Sequence, residues 1–233
     1  MTDHSPVRWF AGQARRTRIR VRLRWATCPF GSVGAFLPPR GRVLDWGCGH
    51  GLLTLHLAAV NPEIQIQGCE IDEGKVRSAT VAAERAGLAD RVAFETVGAG
   101  DGPSGTWDAI VLCDVLYLQT TEDQESLVRD VANHLGPDAV LLCKELGPAP
   151  RWKRTLCRVQ EQVSVRILRI TRSGSALADF PDPTLVASWM ADEGLVVEQH
   201  RIDRGYHAPH VAVVGRRPSM GAASESGAPG RGW

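Results

Sequence analysis

The stretch Val43–Leu57, VLDWGCGHGLLTLHL, decides how the chain is read. A short apolar run closing on an acid (Val43, Leu44, Asp45) leads into glycine at every second position (Gly47, Gly49, Gly51), then into leucines at helical spacing (Leu52, Leu53, Leu55, Leu57). These pieces predict a strand, a tight turn and a helix N-terminus. Glycine reaches positive φ at little cost and leaves its backbone open to a ligand, while the first helical turn offers unpaired N–H groups and a partial positive charge. Such a corner suits a nucleotide-like ligand.

Neighbouring residues narrow the choice. A dinucleotide fingerprint needs G-x-G-x-x-G, and its third glycine would fall at Leu52. A P-loop needs Gly-Lys-Ser/Thr, and the stretch contains no lysine. The next apolar run, Ile64 to Cys69, ends in Glu70. That acid lies 19 residues beyond Gly51, near the roughly 20 at which a carboxylate accepts ribose hydroxyls. Further on comes WDAIVLCDVLYLQ, Trp107 to Gln119.

Taken together, residues Arg42 to Leu146 resemble class I S-adenosylmethionine-dependent methyltransferases, whose first motif is an apolar strand followed by D-x-G-x-G-x-G. The resemblance implies S-adenosyl-L-methionine as cofactor. It places Gly47, Cys48, Gly49 and Gly51 at the methionyl end, with Asp45 ordering the turn or holding the amino group through water. It further assigns Glu70 to the ribose hydroxyls, Ile71 to the adenine face and Asp114 to the point where the cofactor's amino group meets the incoming acceptor. The family's adenine-binding acid after strand three corresponds to Gly98-Ala99-Gly100-Asp101, so Asp101 is the candidate there.

Composition sets bounds. The chain has 233 residues, 43% hydrophobic and 23% charged, enough for one well-buried α/β domain with additions. The N-terminus, MTDHSPVRWFAG, lacks the apolar core of a signal peptide, and no apolar run approaches spanning length, so a cytoplasmic protein is expected. Six cysteines without any C-x-x-C pair read as small buried thiols, with no metal site expected. The net charge of +1 hides an asymmetry: residues 1–42 carry nine arginines and one aspartate, a balance of +8.

Along the chain, residues 1–12 read as loosely ordered. In RRTRIRVRLRW, Arg18, Arg20, Arg22 and Arg24 alternate with Ile19, Val21, Leu23 and Trp25, which suits an extended strand with one basic face. That face is either simply solvated or a dock for something acidic: a phosphorylated or carboxylated substrate, a carrier protein, a lipid headgroup or RNA. From Arg42 strand and helix alternate, which predicts an α/β, Rossmann-like sheet. With the resemblance, the expected fold is a seven-stranded, mostly parallel sheet ending in an antiparallel hairpin, Leu195 to Ile202 and His210 to Gly215. The expected organisation is a basic cap over 1–41, a methyltransferase domain over 42–217 and a disordered tail over 218–233. A helical insertion over 147–182 is expected to wall the acceptor pocket.

The acceptor is less constrained. Methylation of exocyclic base amines goes with N/D-P-P-Y/F after strand four, and the chain has Asp114-Val115-Leu116-Tyr117. Metal-dependent O-methyltransferases place an Asp-Asn pair after strand five, where Lys144-Glu145 stands. These comparisons favour a small-molecule or lipid-like acceptor, acidic or carrier-bound in some readings. RNA or protein methylation through the arginine segment, and cofactor binding without turnover, are the alternatives. His207 and His210, in the turn into the last strand, are candidate general bases, with Tyr117 a candidate for orienting the acceptor.

Overall fold

The computed structural model describes residues 5–147 and 181–219. The expected insertion lies almost wholly outside the described residues, as does the tail beyond 219.

One seven-stranded sheet runs in the order β3-β2-β1-β4-β5-β7-β6. Its strands are β1 (Gly41–Trp46), β2 (Ile64–Glu70), β3 (Val92–Thr96), β4 (Trp107–Cys113), β5 (Leu135–Leu146), β6 (Val196–Arg201) and β7 (His210–Arg216). β1 through β5 pair in parallel, whereas β7 is antiparallel to both β5 and β6. This is the expected sheet, with its terminal hairpin. Chain order reverses between β1 and β4, so ligands are expected beyond the carboxyl ends of those two strands.

Near-continuous apolar sequence in β1, β4 and β5 follows from burial on both faces. One core joins the sheet to α3 (Leu52–Val60), α4 (Glu73–Ala86) and the N-terminal elements; the other joins it to α5 (Thr121–Asn133) and α6 (Pro183–Asp192). Local chemistry sets the helix ends. Asp72 caps α4 by accepting the Gly74 and Lys75 N–H groups at 2.8 and 3.2 Å, and Gly87, at φ 67°, ends it. Asp182 accepts the Thr184 N–H at 2.9 Å ahead of Pro183, which starts α6.

Two N-terminal expectations are corrected. Pro6–Phe10 is a 3-10 turn with Phe10 fully buried; Gln13 exchanges hydrogen bonds with Ser78 on α4, and the Arg85 guanidinium donates to Ala11 O. The arginine run is no strand but the helix α1 (Arg15–Thr27), followed by the short α2 (Phe30–Gly34). A strand would have needed a sheet edge to cover its whole aliphatic row. Arginine and leucine are good helix formers, and a helix buries Val21 while turning most of its arginines to solvent.

Candidate active site

At the carboxyl end of β1 the turn is stapled to its neighbour: the Gly47 and Cys48 N–H groups both donate to Cys69 O, at 2.8 and 2.9 Å. Gly47, Gly49 and Gly51 all have positive φ, at 79°, 59° and 70°. Their surroundings differ. A Cβ on Gly47 would lie 2.5 Å from Val115 Cγ2, and one on Gly51 2.5 Å from Phe94 Cζ. At Gly49 the nearest atom would be Glu70 Oε2, at 3.9 Å. Two of the glycines therefore permit close packing, and Gly49 leaves room beside the Glu70 carboxylate.

Asp45 is 1% exposed and accepts the Thr54 hydroxyl at 2.5 Å. Burial pushes its pKa up to about 6, against the lowering effect of its bonds to Thr54. Through this bond Asp45, at the end of β1, is tied to Thr54 of α3. Glu70 closes β2, with Oε1 accepting the Asp72 N–H at 3.1 Å and lying 3.4 Å from Lys75 Nζ, while Oε2 faces Gly49. Next to it Ile71 is 47% exposed, an apolar surface at the sheet edge. A carboxylate oxygen, bare glycine backbone and an exposed aliphatic side chain are what a ribose and a base require, so these residues fit a nucleoside-bearing cofactor. Asp101 instead accepts the Gly98 N–H of its own loop at 2.6 Å.

The tip of β4 is polar and buried. Asp114 takes φ 56°, and Lys144 Nζ donates to its two oxygens at 2.6 and 2.7 Å. Arg24, from α1, donates to Oδ2 at 2.5 Å. Burial alone would raise the Asp114 pKa, but Lys144 and Arg24 outweigh it and hold the carboxyl well below the usual range. Cys28 Sγ is 3.9 Å from Oδ2. Ligand atoms of Cys28, Cys113 and Asp114 come within 4.8 Å of one another. A divalent ion there would have to displace Lys144 and Arg24, and an unmetallated ion pair is the arrangement the charges favour.

His210, 4% exposed, completes the cluster. Its Nε2 lies 3.0 Å from Thr27 O. A carbonyl only accepts, so Nε2 carries the proton and Nδ1 is the bare nitrogen, buried and without a hydrogen-bond partner. Burial first, and Lys144 second, lower its pKa to about 4, so the ring is neutral at physiological pH. The Tyr206 ring meets it edge-on, 5.7 Å between centroids. His207 is exposed in the intervening turn, while Tyr117 is half-buried in the 3-10 turn Leu116–Leu118. Of the three proposed catalytic residues, His210 is the one built into the polar cluster.

Sequence reasoning did not assign Arg24, Thr27, Cys28 or Lys144 to the site. Lys144 carried a usable signal, since a charge ending an otherwise apolar parallel strand sits at the ligand-binding edge. Arg24 carried none while α1 was read as a strand. Trp25 and Phe30 stack on each other at 5.6 Å, and Trp25 meets His56 of α3 at 5.1 Å.

This arrangement defines a Rossmann-like methyltransferase fold: a glycine turn, an acid at the end of β2, a polar β4 tip and an antiparallel β7. Comparisons agree. Residues 44–141 match the family model described as "Methyltransferase domain". A ribosomal RNA small subunit methyltransferase C from Vibrio parahaemolyticus is 44% identical over 113 residues, covering 48% of this chain and 28% of that protein. A ubiquinone biosynthesis O-methyltransferase from Xanthomonas axonopodis is 27% identical over 170 residues, covering 71% of this chain and 67% of that protein. The chain spans less than half the length of several curated relatives it matches. Among solved structures, magnesium protoporphyrin IX methyltransferase from Synechocystis shares the fold at a TM-score of 0.65 and 19% identity, covering 90% of this chain and 91% of that one. The likeness is thus to S-adenosylmethionine-dependent methyltransferases, through a methyltransferase-domain match confined to residues 44–141 and a shared Rossmann-like fold.

Proposed function

We propose that the protein binds S-adenosyl-L-methionine and transfers its methyl group to a small-molecule or lipid-like acceptor by in-line displacement. The observation that carries this reading is the opening beside Gly49, where Glu70 Oε2 faces glycine backbone at one side of the chain reversal and the Asp114 cluster stands at the other. When bound, the cofactor supplies a sulfonium methyl that needs no further activation. The chain's own residues then bind, orient and exclude water. Glu70 Oε2 accepts from the ribose hydroxyls, Ile71 lies against the base and Asp45 keeps the turn in place. Lys144 and Arg24 fix Asp114 at the acceptor side. His210 Nδ1, neutral and bare, accepts the proton or hydrogen bond of an acceptor O–H or N–H, with Tyr117 beside the entry.

An RNA acceptor is the second reading, favoured by the arginines of α1 and by the similarity to a ribosomal RNA methyltransferase. Against base-amine chemistry, Val115 and Leu116 are 9% and 0% exposed, and Val115 packs against the turn at Gly47. The test incubates the enzyme and methyl-labelled cofactor with fractionated host extract, with and without nuclease. Label in a small, nuclease-resistant organic-soluble product supports the reading. Label lost with nuclease moves the assignment to RNA, and cofactor binding with no labelled product leaves a non-catalytic binder.

A further inference from the structure

The outer face of α1 takes no part in the site. Successive residues advance 100° around a helix, which sets Arg15, Arg18, Ile19, Arg22, Leu23 and Ala26 on one continuous arc, all exposed. Ile19 and Leu23, one turn apart, are 42% and 54% exposed. The helix carries six arginines and no acid. Among the described residues, no ion pair involves Arg15, Arg18 or Arg22. An exposed aliphatic ridge flanked by cations is the composition of a helix that lies in the plane of a membrane interface. The opposite side of the same helix walls the site, through Arg24 on Asp114 and Thr27 O on His210.

We propose that α1 seats the protein on an anionic lipid surface, with Ile19 and Leu23 entering the headgroup boundary and Arg15, Arg18 and Arg22 pairing with lipid phosphates. The acceptor then reaches the Asp114 edge from the membrane, a last step that rests on the methyl-transfer reading; the docking itself does not. A nucleic-acid backbone would satisfy the arginines but give nothing to two adjacent aliphatic side chains, which favours lipid.

The test is co-sedimentation of the full chain with vesicles of phosphatidylcholine alone or containing about 30 mol% phosphatidylglycerol. Binding is expected to the anionic vesicles only, falling as salt rises. It should weaken by at least about tenfold in Arg15→Gln/Arg18→Gln/Arg22→Gln and likewise in Ile19→Gln/Leu23→Gln. S-adenosylhomocysteine affinity, measured on each variant, should be unchanged and reports the fold and cofactor pocket separately from docking. The proposal is overturned by no binding to anionic vesicles, by equal binding to both compositions, or by an unaffected Ile19/Leu23 variant. Preferential retention on single-stranded RNA with no vesicle binding overturns it in favour of a nucleic-acid partner.

Discussion

Lys144 Nζ stands 2.6 and 2.7 Å from the two carboxylate oxygens of Asp114, tying the end of β5 to the end of β4, with Arg24 closing the same carboxylate from the cap. Lys144 is fully buried, so its charge is tolerable only because Asp114 answers it. The pair holds Asp114 in a left-handed backbone conformation that a non-glycine residue rarely adopts.

Lys144→Met should therefore destabilise the protein by about 3 kcal/mol, the lower end for removing one partner of a buried ion pair, since Arg24 remains. Urea unfolding at neutral pH is the measurement. Cofactor-product affinity should fall much less than stability, because Lys144 is assigned to the acceptor side. An unchanged midpoint would mean that the pair contributes nothing net.

The second prediction concerns pH. His210 has a folded pKa of about 4 against an ordinary 6.5, so at pH above 6.5 both folded and unfolded rings are neutral. As pH falls from 6.5 toward 4, the unfolded ring takes up a proton that the folded one refuses, and stability is lost across that window. Asp45, raised to about 6 from 3.8, works with the opposite sign between those values. Comparing wild type with His210→Asn isolates the histidine: the wild type should lose about 2 kcal/mol more than the variant between pH 7 and pH 5. Parallel profiles would show that His210 titrates normally.

The third separates packing from ligand contact in the glycine turn. A Cβ at Gly47 would strike Val115 Cγ2, so Gly47→Ala should cost about 1–3 kcal/mol, with part of the loss recovered in Gly47→Ala/Val115→Ala. The rest is the cost of φ 79°. Thermal unfolding of the single and double variants reads this directly, and no recovery would locate the whole effect in the backbone.

A fourth prediction bears on catalysis. With Nε2 donating to Thr27 O, His210 presents only Nδ1, and His210→Ala should lower turnover by at least about tenfold while His207→Ala, in the exposed turn, does not. Because the folded ring is already neutral, kcat/KM should show no histidine inflection near pH 6.5. Full activity in the His210 variant would reduce it to a structural link between β7 and α1.

Which features were legible in the sequence follows from how local their causes are. Val43–Leu57 and Glu70 are set by glycine and acid chemistry within a few residues, and as strand, turn, helix and strand end each takes the expected form. The alternation in Arg18–Trp25 misled because period two is also compatible with a helix whose long arginine side chains reach solvent from several faces. Helix or strand there depends on what the segment packs against, which neighbouring residues do not encode. The Arg24–Asp114 contact spans 90 positions, and the His210–Thr27 contact 183. Lys144 was visible as a charge at a strand end, but its partner was not.

The central claim is that Glu70 and Gly49 form the ribose side of an S-adenosylmethionine pocket. Calorimetric titration with S-adenosylhomocysteine tests it most directly, on the wild type, Glu70→Ala and Gly49→Val, with circular dichroism to establish that each variant is folded. The account predicts saturable binding by the wild type and affinity weakened on the order of 10–100-fold in Glu70→Ala, the loss of charged hydrogen bonds to two hydroxyls. Gly49→Val, which fills the opening beside Glu70, should bind no more tightly than Glu70→Ala. Undiminished affinity in both folded variants, or tighter binding of NAD than of S-adenosylhomocysteine by the wild type, would contradict it.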